Sequence, residues 1–294
     1  SRFMTPLYVD QVPSGWNSVI PNWTFLWAIA CCEYFEHTGD VDFAREMWPH
    51  IRYTLDHYLQ NLDDRGLLFM RGWNFLDWAP IDQPRHGAVS HQNMFLVKTL
   101  RDAAKFAEWA GKGEEGAAYL EVARKLAHAI NVHLWSDERQ AYIDCIHADG
   151  RPSSVVSMQT QVVALLCGIA EGERKRRLET YLTSPPESFV RIGSAFMSFF
   201  YYEVLSLLGR TETIVQDIRK NYGMMVEFGS STCYETYPEP IDGKIDPRRL
   251  TRSHCHAWSA APGYFLGTEV LGVRRAAPGW KKIIIAPRPA AGLT

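Results

Sequence analysis

Gly and Asp cut this chain at short, regular intervals, and the apolar residues between the cuts recur at helical spacing, a pattern that specifies paired helices. Asn22 or Thr24 can cap a first helix running through Trp27, Ala30 and Tyr34 to about His37, where Gly39 stops it. Asp40 then opens a second through Ala44, Trp48, Ile51, Leu55 and Leu59. Three more pairs are predicted: 90–110 with 114–135, 157–169 with 173–182, and 193–208 with 211–225. A last helix, about 257–271, has no partner. Strand-like sequence is scarce; 141–144 reads as a short hairpin limb and 282–285 as a strand.

Four helical pairs plus one make an all-α chain. Pairs repeated around an axis close into an (α/α)6 toroid with loops gathered at one end; a plain helical solenoid is the rival. The long loops 64–89, 136–155 and 226–255 favour the toroid, because long loops in compact domains are usually functional. A full ring needs twelve helices, and nine are predicted.

Composition removes several classes of function. Hydrophobic content of 46% argues for a packed core, and a net charge of −2 lacks the basic footprint of nucleic-acid binding. The best apolar run, 25–32, is far too short to span a membrane. No nucleic acid and no membrane is therefore expected as a partner. The six cysteines are scattered, with Cys31 and Cys32 adjacent, and read as reduced, mostly buried thiols rather than a disulfide framework. There is no phosphate-binding glycine loop and no nucleophile elbow, so no cofactor is expected. The compartment stays open between cytoplasm, periplasm and exterior.

Aromatic residues are the compositional excess, at 13% with ten tryptophans. Trp16, Trp73, Trp78 and Trp258 stand in Gly-, Pro- or Asp-bearing stretches rather than on helical stripes, where ligand contact is more common than core packing. In Gly229-Ser-Ser-Thr-Cys-Tyr-Glu-Thr-Tyr-Pro238, Glu235 is flanked by Tyr234 and Tyr237, and Ser253-His-Cys-His-Ala-Trp258 follows. A carboxylate can move protons and aromatic faces can hold sugar rings, so Glu235 is a candidate catalytic group. A polar surface glutamate is the plain alternative.

His254 and His256 supply only two metal ligands, and no other Cys or His cluster has structural zinc spacing, so no metal is expected. His256 reads instead as a hydrogen-bonding imidazole or a helix cap. In Trp73-Asn-Phe-Leu-Asp-Trp78, Asp77 can orient a sugar hydroxyl or cap the turn before Ala79-Pro80.

Taken in order, these segments resemble the catalytic region of bacterial α-L-rhamnosidases, family 78 of the glycoside hydrolases. Gly-Ser-Ser-Thr-Cys-Tyr-Glu235 is similar to that family's Gly-(Ala/Ser)-Thr-Thr-(Leu/Ile)-Trp-Glu, with Tyr234 where Trp is usual. Residues 253–257 are similar to its Ser-Leu-Asn-His-Tyr/Ala segment. Leu76-Asp-Trp78 resembles Gly-Asp-Trp without the glycine, and 279–289 resembles the run that begins its C-terminal β-sandwich. The resemblance implies a toroid over 1–275 and the start of the sandwich over 276–294. It implies inverting hydrolysis of a terminal α-L-rhamnoside with Glu235 as general base, and sugar contacts from His256, Trp258, Asp77, Trp78, Tyr237, Trp73 and Trp16. The partner is then a rhamnosylated carbohydrate. The family's general-acid motif is not found in these residues and is expected upstream of residue 1, with the sandwich continuing beyond 294. Two other readings stay open: a sugar-binding toroid without hydrolytic activity, and a related toroid hydrolase acting on another sugar.

Overall fold

A computed structural model of the chain describes residues 20–238 and 252–289; Trp16 lies outside them. The described residues form two compact units, one of 20–76, 81–190 and 277–281, the other of 77–80, 191–238, 252–276 and 282–289.

The first unit holds three of the expected helical pairs. Helices α1 (Pro21–Thr38) and α2 (Val41–Leu59) are separated by Gly39, whose φ of +70° suits a residue without Cβ. Asp40 caps α2 by accepting the Phe43 N–H at 2.9 Å. The start of α1 differs from the sequence expectation: Ile20 is the cap position, Pro21 opens the first turn, and Asn22 is buried within the helix. Its amide donates to the Phe75 carbonyl at 2.7 Å and lies 3.1 Å from His91 Nδ1. A side chain spent on tertiary contacts is not free to cap. Burial pushes His91 down to about 3, which keeps its ring neutral.

Helix α3 (Ser90–Trp109) pairs with α4 (Gly113–His133). Gly116 lets the two approach, since a Cβ there would lie 2.5 Å from that of Ala107. The first two turns of α3 are buried throughout, so its polar residues are paired inside the protein. Ser90 Oγ donates to the Ile143 carbonyl, and Asn93 exchanges bonds with the Leu68 backbone, accepting at 2.7 Å and donating at 3.1 Å. Ser157 caps α5 (Met158–Leu166), which is followed by α6 (Gly172–Tyr181). Phe25, Ile51, Leu55, Tyr58, Phe95 and Phe106 are fully buried and form much of this core.

A small antiparallel sheet of order β1 (Met70–Arg71), β2 (His86–Val89), β5 (Cys145–His147) lies in the same unit, with Val89 opposite Cys145. The limb predicted at 141–144 is shorter than expected. Only Ala141–Tyr142 (β4) pairs as a strand, with Trp135–Ser136 (β3), and beyond it the Asp144 side chain accepts from Ser157 and Thr160.

The second unit contains α7 (Ala195–Leu207) and α8 (Thr211–Glu227), again as predicted. The last predicted helix is broken into a 3₁₀ turn at Ala257–Ser259, a short α9 (Ala261–Phe265) and a π turn at Leu266–Val270. Pro262 cannot donate into a continuous helix, and the π turn carries Glu269 into a buried set of partners. Its carboxylate accepts from Ser206 at 2.6 Å, Thr211 at 3.0 Å and Arg274 at 2.8 Å. Strands β6 (Val273–Arg275) and β7 (Ile283–Ile285) pair antiparallel, so the predicted strand exists, with its three isoleucines exposed.

All six cysteines are free, and Cys31, Cys32, Cys145 and Cys167 are buried. Burial pushes the Cys31 thiol up to about 11, which makes it inert. No helix among the described residues is long and apolar enough to cross a membrane.

Candidate active site

Glu235 is held by backbone before its side chain is considered. Its N–H donates to the Ser253 carbonyl at 2.8 Å, and the His256 N–H donates to the Cys233 carbonyl at 3.0 Å. These two bonds lash the Glu235 loop to the His256 segment. Ser259 Oγ adds a 2.6 Å bond to the Tyr234 carbonyl, and Tyr234 is buried with its ring stacked on His254, centroids 3.9 Å apart. The two sequence motifs are thus one structural unit.

The carboxylate is 16% exposed and both of its oxygens accept. Trp78 Nε1–H donates to Oε1 at 3.0 Å, and the Ser253 backbone N–H reaches Oε2 at 3.2 Å. The Arg252 guanidinium lies 4.0 Å from Oε1 and stacks on the Trp78 ring, 3.4 Å from Cζ to the centroid. Trp258 donates its indole N–H to the main-chain carbonyl of Glu235 at 2.9 Å. Two indoles and one guanidinium therefore converge on a single acidic residue that solvent still reaches. Such a carboxylate is oriented, charge-compensated and able to accept a proton from water.

Asp77 sits beneath this arrangement. It is buried, and its oxygens accept from the Trp78 N–H at 2.9 Å, the Gly193 N–H at 2.8 Å and the Ser194 hydroxyl. Of the two sequence readings, turn capping describes these bonds, and their effect is to fix the backbone that presents Trp78. Gly193 is required by close approach: a Cβ there would fall 2.0 Å from the Trp78 carbonyl oxygen.

Residues 1–270 match the bacterial alpha-L-rhamnosidase 6 hairpin glycosidase domain. The chain belongs to this family. It is 60% identical to the solved family 78 rhamnosidase of Bacillus sp. GL1, covering 98% of this chain and 30% of that one, with a TM-score of 0.91. The alpha-L-rhamnosidase of Formosa agariphila is 24% identical over 99% of this chain and 31% of its own length. A Klebsiella oxytoca rhamnosidase solved with rhamnose bound is 22% identical, with a TM-score of 0.69 over 84% of this chain and 46% of that one. The chain thus spans 22% to 31% of the length of the curated relatives it matches. The all-α six-hairpin glycosidase fold expected from the sequence is the fold of the family.

Other residues singled out in this rhamnosidase-family sequence fall into three groups. His256 and Trp258 stack on each other, centroids 4.3 Å apart, and Trp258 also packs on Phe196 at 5.1 Å. The Tyr237 hydroxyl donates to Ser198 on α7 at 2.8 Å, and burial pushes its phenol pKa upward, so it is anchored to the scaffold. Trp73 belongs to the first unit, where its ring lies 5.3 Å from Phe75.

The sequence reading missed Arg252, Ser253, Gly193 and Ser194 as parts of the site. Ser253 opens a motif already singled out and Arg252 precedes it, but nothing local signals the backbone bonds of the one to Glu235 or a partner for the other at Trp78. Among the described residues, one group has metal-ligand spacing, and it lies in the first unit rather than at the His-X-His pair. Ligand atoms of Asp82, Cys145 and His147 lie within 4.8 Å of one another. Asp82 Oδ2 is already engaged there by His147 at 2.8 Å and Ser153 at 2.7 Å.

Proposed function

We propose that the full-length protein is an inverting glycoside hydrolase that releases terminal α-L-rhamnose, with Glu235 as its general base. The observation that carries this reading is the setting of Glu235: two N–H donors orient the carboxylate, a guanidinium neighbours it, and solvent has access. Glu235 takes one proton from a water as that water's oxygen bonds to the anomeric carbon. The glycosidic bond breaks on the opposite face, and a general acid protonates the departing oxygen. An inverting pair stands roughly 6.5–9.5 Å apart, which leaves room for the water. His256 offers the sugar an imidazole, Trp258 stacks on that imidazole and supports the Glu235 backbone, and Trp78 serves chiefly to aim the base. Residues 276–294 are proposed to begin a C-terminal β-sandwich, a reading supported by the exposed Ile283, Ile284 and Ile285.

In the full-length protein, Glu235→Gln is expected to lower turnover of nitrophenyl α-L-rhamnoside by about 10²- to 10⁴-fold. L-Rhamnose binding, measured by calorimetry, should persist. Proton NMR of the wild-type reaction should show the inverted sugar as the first product. Near-normal turnover by the glutamine variant, or a retained anomer, overturns the reading. A panel of other nitrophenyl glycosides tests the choice of sugar.

A further inference from the structure

We propose that Arg252 is a positioning residue for the base, an inference that rests on the reading of Glu235 just given. Three distances define its place. Its guanidinium carbon is 3.4 Å from the centroid of the Trp78 ring, its Nη1 is 4.0 Å from Glu235 Oε1, and Trp78 Nε1 is 3.0 Å from that same oxygen. The three side chains form a closed triangle. The next residue, Ser253, bonds Glu235 twice, its N–H to Oε2 and its carbonyl to the Glu235 N–H. Arg252 is therefore tied to the carboxylate through its own side chain, through Trp78 and through the adjoining backbone.

Each tie has a physical consequence. A planar cation on an indole face is attracted by the ring quadrupole, and the flat guanidinium suits this contact better than an ammonium does. The contact restricts Trp78 to the orientation in which its N–H meets Glu235. At 4.0 Å the positive charge is too far for a short hydrogen bond but stands beside the carboxylate oxygen that Trp78 binds. Direct bidentate pairing would tie up the lone pairs that must accept the proton from water. The observed spacing supplies charge and leaves the oxygens available. It also places the guanidinium over the Trp78 ring, so the face it covers is closed to a sugar. This favours base orientation over sugar stacking as the work of Trp78.

The test uses the full-length protein with nitrophenyl α-L-rhamnoside. Arg252→Met keeps much of the aliphatic stem and removes the charge and the planar group. It is expected to lower kcat by about 10- to 100-fold with KM within about threefold of wild type. Arg252→Lys, which restores charge without the planar fork, should recover part of the loss. Trp78→Phe and Arg252→Met should combine to less than the product of their separate effects, because both act through one carboxylate.

A wild-type kcat in Arg252→Met overturns the proposal. A loss confined to KM does the same, since it would make Arg252 a substrate contact, and so do multiplicative effects in the double variant. If Arg252→Met fails to fold by circular dichroism, Arg252→Gln and Arg252→Lys carry the same measurements. Glu235→Gln is run alongside. An active glutamine variant defeats the base assignment itself. An inactive one beside a fully active Arg252→Met defeats only the role given to Arg252.

Discussion

At the scale of single residues, surroundings separate carboxylates that composition alone treats alike. Glu269 is 1% exposed, accepts from two hydroxyls and an arginine, and has Arg288 3.7 Å away, so it is a structural anchor. Glu235 is reachable by solvent and accepts two N–H groups, and its arginine stands back. Asp144 is a third case. Burial pushes its pKa up to about 6 against an ordinary 3.8, despite bonds from Ser157, Thr160 and the Asp82 N–H. A raised carboxyl pKa means that the folded state binds more protons than the unfolded one between about pH 4 and 6. Its contribution is therefore most favourable below that window and is lost as pH rises through it. Asp144→Asn removes the titration, so the wild type's melting temperature should fall relative to the variant's as pH rises from 4 to 6, read by thermal scans at fixed ionic strength. Glu235 was legible in the sequence because its tyrosines adjoin it. The Trp78 bond was not, because its partner lies 157 positions away and no local pattern encodes that meeting.

At the scale of elements, legibility followed punctuation. Gly39 and Asp40 mark a real boundary because each performs a backbone task, one at φ +70° and the other as a cap. The 257–271 stretch carried helical periodicity too, but Pro262 and the buried bonds of Glu269 convert it into three short turns. Periodicity records which face is buried, not whether the backbone is continuous. Gly193 shows the opposite case, in which one unremarkable residue fixes how an element docks. A Cβ there would meet the Trp78 carbonyl at 2.0 Å, and the same peptide N–H is bound to Asp77. Gly193→Ala should destabilise the protein by about 1–3 kcal/mol through overpacking. With Glu235 as the proposed base, it should also lower kcat, because the displaced segment carries the indole that donates to Glu235. Thermal melts and steady-state kinetics on the full-length protein check both; an alanine variant with wild-type kcat would show that Trp78 presentation tolerates the shift.

At the scale of the whole molecule, the chain does not assign its parts in order. The unit containing Glu235 also contains Asp77–Pro80, whose flanking sequence on both sides belongs to the other unit. A linear reading places these segments apart, and folding brings them to one carboxylate. A fragment beginning at Arg191 keeps Glu235, Arg252 and His256 but has no Trp78. If the proposed L-rhamnose site needs Trp78, this fragment should show no L-rhamnose binding by calorimetry under conditions in which the full-length protein is tested; binding by the fragment would make Asp77–Pro80 dispensable. The all-α class was legible from helical pairing, and the family from a few motifs in order. The discontinuity was not, because it is a property of tertiary contacts.

The bond from the Trp78 indole to Glu235 also makes that carboxylate visible to light. Indole emission responds to the charge and dipoles around the ring, and this ring carries a guanidinium on its face and a carboxylate on its nitrogen. Neutralising Glu235, or seating a sugar hydroxyl beside it, alters that field directly. The difference in fluorescence between the protein and its Trp78→Phe variant is thus an unlabelled optical readout of the residue proposed to do the chemistry.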